Sequence, residues 1–331
     1  MPASDGTPPD DRRALRRFLL AAAIVAVPVL GLVGLLNTLG DPFGYRGRPL
    51  APGLNDVRSQ VFYRAARPTQ MHWLRSQAVQ QNRQAELLVG TSRVVRGFDA
   101  CAHPRRGVLA LPLMSQEEIA DLVRDKLPPP DFEQTLWIEI ARGPTPVTAE
   151  SYGSAQPSRD DLLSWNATVT SIDNALASRF VPRKAGGAAG CAVVPLHTDN
   201  VRNDSVGLLR AVEADPLGLP SYRDLLMRIA PACGPKRHIV LVVLPAYVAP
   251  ESWDEALSVM QRYDRKMSEE TERMRDRYPG CRFEFRDLAT RYLERGAEAQ
   301  QADVRAGYWA DGVHFSPELG EAVLASGGGI R

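Results

Sequence analysis

The chain has 331 residues, with 40 Lys and Arg against 39 Asp and Glu, so its formal charge is +1 at pH 7. Apolar residues make up 44% and charged residues 24%, which excludes a disordered chain, a collagen-like repeat and a polytopic membrane protein. No basic excess or Lys/Arg stripe is present to neutralise phosphates, so no nucleic-acid partner is expected.

Residues 18–36 (FLLAAAIVAVPVLGLVGLL) form an apolar run without a charge. As a helix this run is about 28 Å long, close to the hydrocarbon thickness of a bilayer. Arg12, Arg13, Arg16 and Arg17 precede it and predict a cytoplasmic N-terminus. Pro28 falls mid-run, where a spanning helix tolerates it. A cleaved signal peptide has a shorter apolar region, of about 7–15 residues, and a small-x-small site. Here the run leads into Asn37-Thr38-Leu39-Gly40-Asp41-Pro42 instead. We therefore expect residues 1–17 inside, a single transmembrane anchor over 18–36, and the remainder outside the cytoplasm. A signal peptide and a buried soluble helix are the alternatives.

Residues 37–85 read as a juxtamembrane linker with a helix over 69–84. From there, short apolar runs alternate with helical patterns. Strands are predicted over 86–89 (ELLV), 108–111 (VLAL), 135–140 (TLWIEI), 238–244 (HIVLVVL) and 282–285 (RFEF). Helical spacing covers 115–127, where Ser115 and Glu118 have the spacing of a capping box. A long helix is expected over 252–277. A last one should begin at Pro317, with Ser316 as its N-cap. Such alternation implies a parallel sheet with right-handed crossovers. Residues 144–235 read as an insertion rich in Gly, Pro, Ser and Asp; insertions of this kind cover the carboxyl edge of a sheet and shape a binding site.

Cys101, Cys191, Cys233 and Cys281 show no C-x-x-C spacing, which argues against a zinc knuckle or a redox motif. An oxidising compartment permits two disulfides in any of three pairings. Cys233 and Cys281 each precede a predicted strand by a few residues. If those strands are neighbours the two cysteines lie close, so this pair is favoured, with free thiols as the alternative. No cluster of His and carboxylates has metal-ligand spacing, so no metal site is expected.

Two segments carry chemistry. Gly90-Thr91-Ser92-Arg93 places a serine at the carboxyl end of the first strand. Asp311-Gly312-Val313-His314 places an acid and an imidazole just before the last helix. Reactive groups in a parallel sheet collect outside the carboxyl ends of its strands, so the two segments can meet across more than 200 residues. A serine hydroxyl needs a base to become a nucleophile. His314 can be that base, Asp311 can orient its ring, and the Ser92 N–H can help hold an oxyanion.

On these residues the chain resembles the SGNH (GDSL-like) hydrolase superfamily, in particular its membrane-anchored bacterial envelope members. The similarity covers residue 86 to the C-terminus plus the anchor, with recognisable motifs at the two ends. Gly90-Thr91-Ser92 is similar to the family's first block, with Ser92 as nucleophile. Asp311 and His314 fall in its last block and complete the triad. The resemblance implies a flavodoxin-like three-layer α/β/α sandwich with strand order 2-1-3-4-5. It also implies ester hydrolysis or O-acyl transfer on an envelope glycan or related polymer, without a metal or organic cofactor. For transfer, the resemblance points to a membrane acyl-donor protein as partner.

The chain departs from the pattern in three places. Thr91 stands where the first block usually has Asp. Leu111-Pro112 stands where the second block has the glycine whose N–H joins the oxyanion hole. Ala141-Arg142-Gly143-Pro144 replaces the third block's Gly-x-Asn-Asp. Arg93, Arg142, Gly143 and His197 are therefore the candidates for oxyanion or substrate contacts. Serine often caps a helix at such a position, so a structural Ser92 is the competing assignment. A catalytically silent envelope scaffold of the same fold, or an unrelated ligand-binding module, are the alternatives to an enzyme.

Overall fold

In the computed structural model, residues 9–40, 67–98, 103, 105–111, 114–140, 168–169, 171–172, 219–310 and 312–326 are described. Helix α1 (Pro9–Gly40) contains a 27-residue stretch, Arg13–Leu39, long and apolar enough to cross a membrane. None of its most apolar window is buried, and Phe18, Ile24, Val27 and Leu32 stand well exposed, which sets aside a buried soluble helix. At its end the side chain of Asn37 is fully buried. Its amide donates to the Thr168 hydroxyl (3.1 Å) and accepts from that of Ser171 (3.0 Å).

The described residues from 67 onward form mainly an α/β unit around five parallel strands: β1 (Glu86–Gly90), β2 (Arg106–Ala110), β3 (Gln134–Glu139), β4 (Arg237–Val243) and β5 (Arg282–Asp287). Their order is β2-β1-β3-β4-β5, the order the resemblance implies. Each expected strand is present within two residues of its predicted bounds. Because side chains alternate along a strand, Leu87, Val89, Leu136, Ile138, Ile239 and Leu241 form one face of the sheet. That face is covered by α2 (Arg67–Gln81), α4 (Gln116–Lys126), α5 (Leu219–Ile229) and α6 (Trp253–Arg277). On the opposite face Leu88, Trp137, Val240 and Val242 meet α3 (Ser92–Gly97), α7 (Leu288–Leu293) and α9 (Pro317–Ser326). Helix α8 (Ala297–Arg305) leads into the loop before α9.

Local chemistry sets the boundaries. The Ser115 side chain accepts from the Glu118 N–H (3.1 Å) and the Glu118 carboxylate accepts from the Ser115 N–H (3.0 Å), a complete capping box at α4. Helix α5 falls inside the expected insertion. It packs beside α4 and α6, and so belongs to the β3-to-β4 crossover rather than to a covering loop. At the amino ends of β3 and β4 the guanidinium of Arg237 is fully buried. It donates to Gln134, Leu127, Ala232, Asn82 and Pro128, and burial pushes it down to about 10. Cys233 and Cys281, on the approaches to β4 and β5, form a disulfide with a Cα–Cα distance of 5.1 Å. Cys101 and Cys191 lie outside the described residues.

Candidate active site

All five strands end at one edge, and the two sequence segments meet there. Strand β1 stops at Gly90, where a Cβ would lie 2.5 Å from both the Glu139 carboxylate and the Val94 side chain. Only a residue without a side chain lets the turn approach β3 so closely. Thr91 then adopts an extended conformation and caps α3: the Arg93 N–H donates to its hydroxyl at 3.3 Å. Its own N–H donates to Glu139 Oε2 at 2.7 Å. Ser92 therefore enters the helix as its first residue with its hydroxyl free of capping work.

That hydroxyl lies 2.8 Å from His314 Nε2. Both residues are half-buried, so the pair is shielded from bulk water yet reachable. The imidazole is held by a small closed loop. The Ala310 N–H donates to the His314 carbonyl (2.9 Å), the Ser316 N–H to that of Tyr308 (2.8 Å), and Trp309 and Phe315 form an antiparallel bridge. Trp309 and Phe315 are buried edge-to-face at 5.9 Å, with Tyr292, Tyr247 and Phe98 ringed about them. Phe315 rests directly on Gly97 at the end of α3, and Gly320 of α9 lies against the Gly97 carbonyl. A Cβ at Gly320 would sit 1.7 Å from that oxygen. The serine helix and the histidine loop are thus pressed together by two glycines and one phenylalanine.

Chemically, a ring protonated on Nδ1 presents its Nε2 lone pair to the Ser92 O–H, the arrangement needed to draw off the proton as the oxygen attacks. Asp311, Arg142, Gly143 and His197 lie outside the described residues. The Gly312 carbonyl, next to Asp311, accepts from the Tyr247 N–H at 3.0 Å and ties the loop to the end of β4. Arg93 stands at this edge, but its guanidinium turns inward to the Leu244 and Pro245 carbonyls and to Glu139 (3.7 Å). Leu111 is fully buried, and its N–H donates to the Gly90 carbonyl at 3.3 Å.

Glu139 is the site residue that the sequence reading missed. It ends β3 with 1% of its side chain exposed. The signal was a carboxylate inside an otherwise apolar strand, TLWIEI, where an unpaired charge is costly. His238 and His103 lie away from the site, paired with Glu284 (2.9 Å) and Glu321 (3.3 Å). Both line a groove of about 590 Å³ at the opposite, amino edge of the sheet, with Glu86, Arg106 and Trp137. Among the described residues no three His, Cys, Asp or Glu side chains converge on a point that could hold a metal ion. Comparison of the chain with models of protein families, with curated proteins and with solved structures finds no match.

Proposed function

We propose that this chain is a membrane-anchored, extracytoplasmic serine esterase or O-acyltransferase of the SGNH type, with a flavodoxin-like α/β/α sandwich as its catalytic domain. The observation that carries the reading is the 2.8 Å approach of the Ser92 hydroxyl to His314 Nε2, at the carboxyl edge of the sheet and across 222 residues of sequence. Ser92 attacks the carbonyl carbon of an ester and passes its proton to His314. His314 returns it to the leaving oxygen, and water or a sugar hydroxyl then takes the acyl group. Asp311 orients the imidazole, and the Ser92 N–H is the first oxyanion donor. The substrate class is an ester of a cell-envelope glycan or related polymer, with a membrane acyl-donor protein as partner where transfer is the reaction.

The location follows the same reading. Arg12, Arg13, Arg16 and Arg17, before the uncharged run 18–36, keep the N-terminus on the cytoplasmic side of the membrane, and the domain stands outside it. The Cys233–Cys281 disulfide supports an oxidising compartment.

One observation favours a catalytically silent scaffold instead: the Leu111 N–H is occupied by the Gly90 carbonyl, and proline follows, so the second block offers no oxyanion donor here. Loss of one such donor costs about a hundredfold or more in rate. Hydrolysis of p-nitrophenyl acetate by the full chain in detergent separates the two. An enzyme loses at least about a thousandfold in kcat on Ser92→Ala and on His314→Ala, with folding retained. A scaffold shows the same background rate in all three proteins.

A further inference from the structure

We propose that Glu139 and Arg93 are paired positioning residues that set the Ser92–His314 distance by bracing the nucleophile turn against the connector after β4, which is hydrogen-bonded to the histidine loop. The inference rests on the serine-enzyme reading and gives Arg93 a role other than oxyanion or substrate binding. Glu139 is buried at the end of β3 with one oxygen on the Thr91 N–H (2.7 Å) and the other toward Arg93 Nη1 (3.7 Å). Burying a carboxylate is tolerable only with such partners. The other arm of the guanidinium donates to the carbonyls of Leu244 and Pro245, where β4 has ended. One ion pair therefore joins the carboxyl ends of β1, β3 and β4.

The brace continues beyond Pro245. Gln300 grips Val248 from both sides, accepting from its N–H (3.1 Å) and donating to its carbonyl (2.6 Å). The Tyr247 N–H donates to the Gly312 carbonyl (3.0 Å), and the Tyr247 ring meets Trp309 edge-to-face at 6.3 Å. Gly312 is two residues from His314. The path from the serine turn to the imidazole thus runs through Glu139, Arg93, the 244–248 connector and Gly312, in parallel with the α3–α9 contact at Gly97 and Gly320. Removing the brace leaves the glycine contact and the aromatic packing around Phe315 to fix the pair. A misplacement of about 1 Å between reacting groups costs about a hundredfold in rate.

The experiment uses the full chain in detergent, with Glu139→Gln, Arg93→Met, Arg93→Lys and the Glu139→Gln/Arg93→Met double variant, each checked for wild-type circular dichroism. The readouts are kcat and KM on p-nitrophenyl acetate and amide hydrogen exchange by mass spectrometry. Positioning predicts kcat lower by about ten- to a hundredfold with KM unchanged, and partial recovery in Arg93→Lys. It predicts a double variant no worse than the poorer single one, because the two residues act as a unit. It also predicts that Arg93→Met speeds exchange in 244–249 and in 310–316, whereas Ser92→Ala speeds neither. A raised KM with unchanged kcat assigns Arg93 to substrate and overturns the proposal. So does exchange that rises only in 90–93. If the wild-type chain hydrolyses nothing, the enzyme reading fails, and the exchange pattern alone then decides whether the brace exists.

Discussion

Thr91, not Ser92, supplies the oxygen that caps α3, and this is what leaves Ser92 available to His314. The sequence could not separate the two assignments, because both residues favour the cap and sit side by side. In the structure it is Thr91, in extended conformation, whose hydroxyl reaches the Arg93 N–H. Glu139 escaped notice for the opposite reason: in sequence it is one polar residue in a strand, and its partners are 46 and 48 residues away. Other carboxylates are legible only in three dimensions as well. The hydrogen bond from His238, and then that from Arg286, hold Glu284 down to about 2. A depressed carboxyl adds stability that is fully present above its unfolded value, about 4.5, and is lost as pH falls toward 2. In urea titrations from pH 7 to 2, Glu284→Gln is therefore less stable than wild type near neutrality. The two curves converge at the acid end.

Elements with strong periodicity or a complete cap were readable: the five strands, α4 with its capping box, the long α6, and α9 from Pro317. Helices α3, α7 and α8 were not, being six, six and nine residues long, too short to display a repeating apolar face. Helix α5 was hidden because a Gly- and Pro-rich stretch leads into it. The contact between α3 and α9 depends on two glycines whose importance has no sequence signature, since nothing in the spacing announces that their backbones touch. Gly320→Ala forces a methyl onto the Gly97 carbonyl. Overpacking of this kind costs about 1–3 kcal/mol or more. We expect a lower urea midpoint for this variant and a larger proportional loss of esterase turnover, because the helix that must move carries the loop beside His314.

The chain as a whole joins an apolar helix long enough to span a membrane to a parallel sheet stapled at its amino edge. The staple closes a loop over a sequence separation of 48, which in the chain-entropy account contributes about 4 kcal/mol to stability. Reduction with dithiothreitol should lower the unfolding free energy by up to about that amount and leave the Ser92–His314 edge unaltered, since the disulfide lies at the other end of the strands. Convergence of the Ser92 turn and the His314 loop on that edge is the claim on which the functional account stands. It is tested most directly by treating the full-length protein in detergent with a fluorophosphonate probe and mapping the modified peptide by mass spectrometry. The account predicts a single adduct on Ser92, abolished by Ser92→Ala and by His314→Ala. A folded protein that takes up no probe, or carries it on another residue, contradicts it.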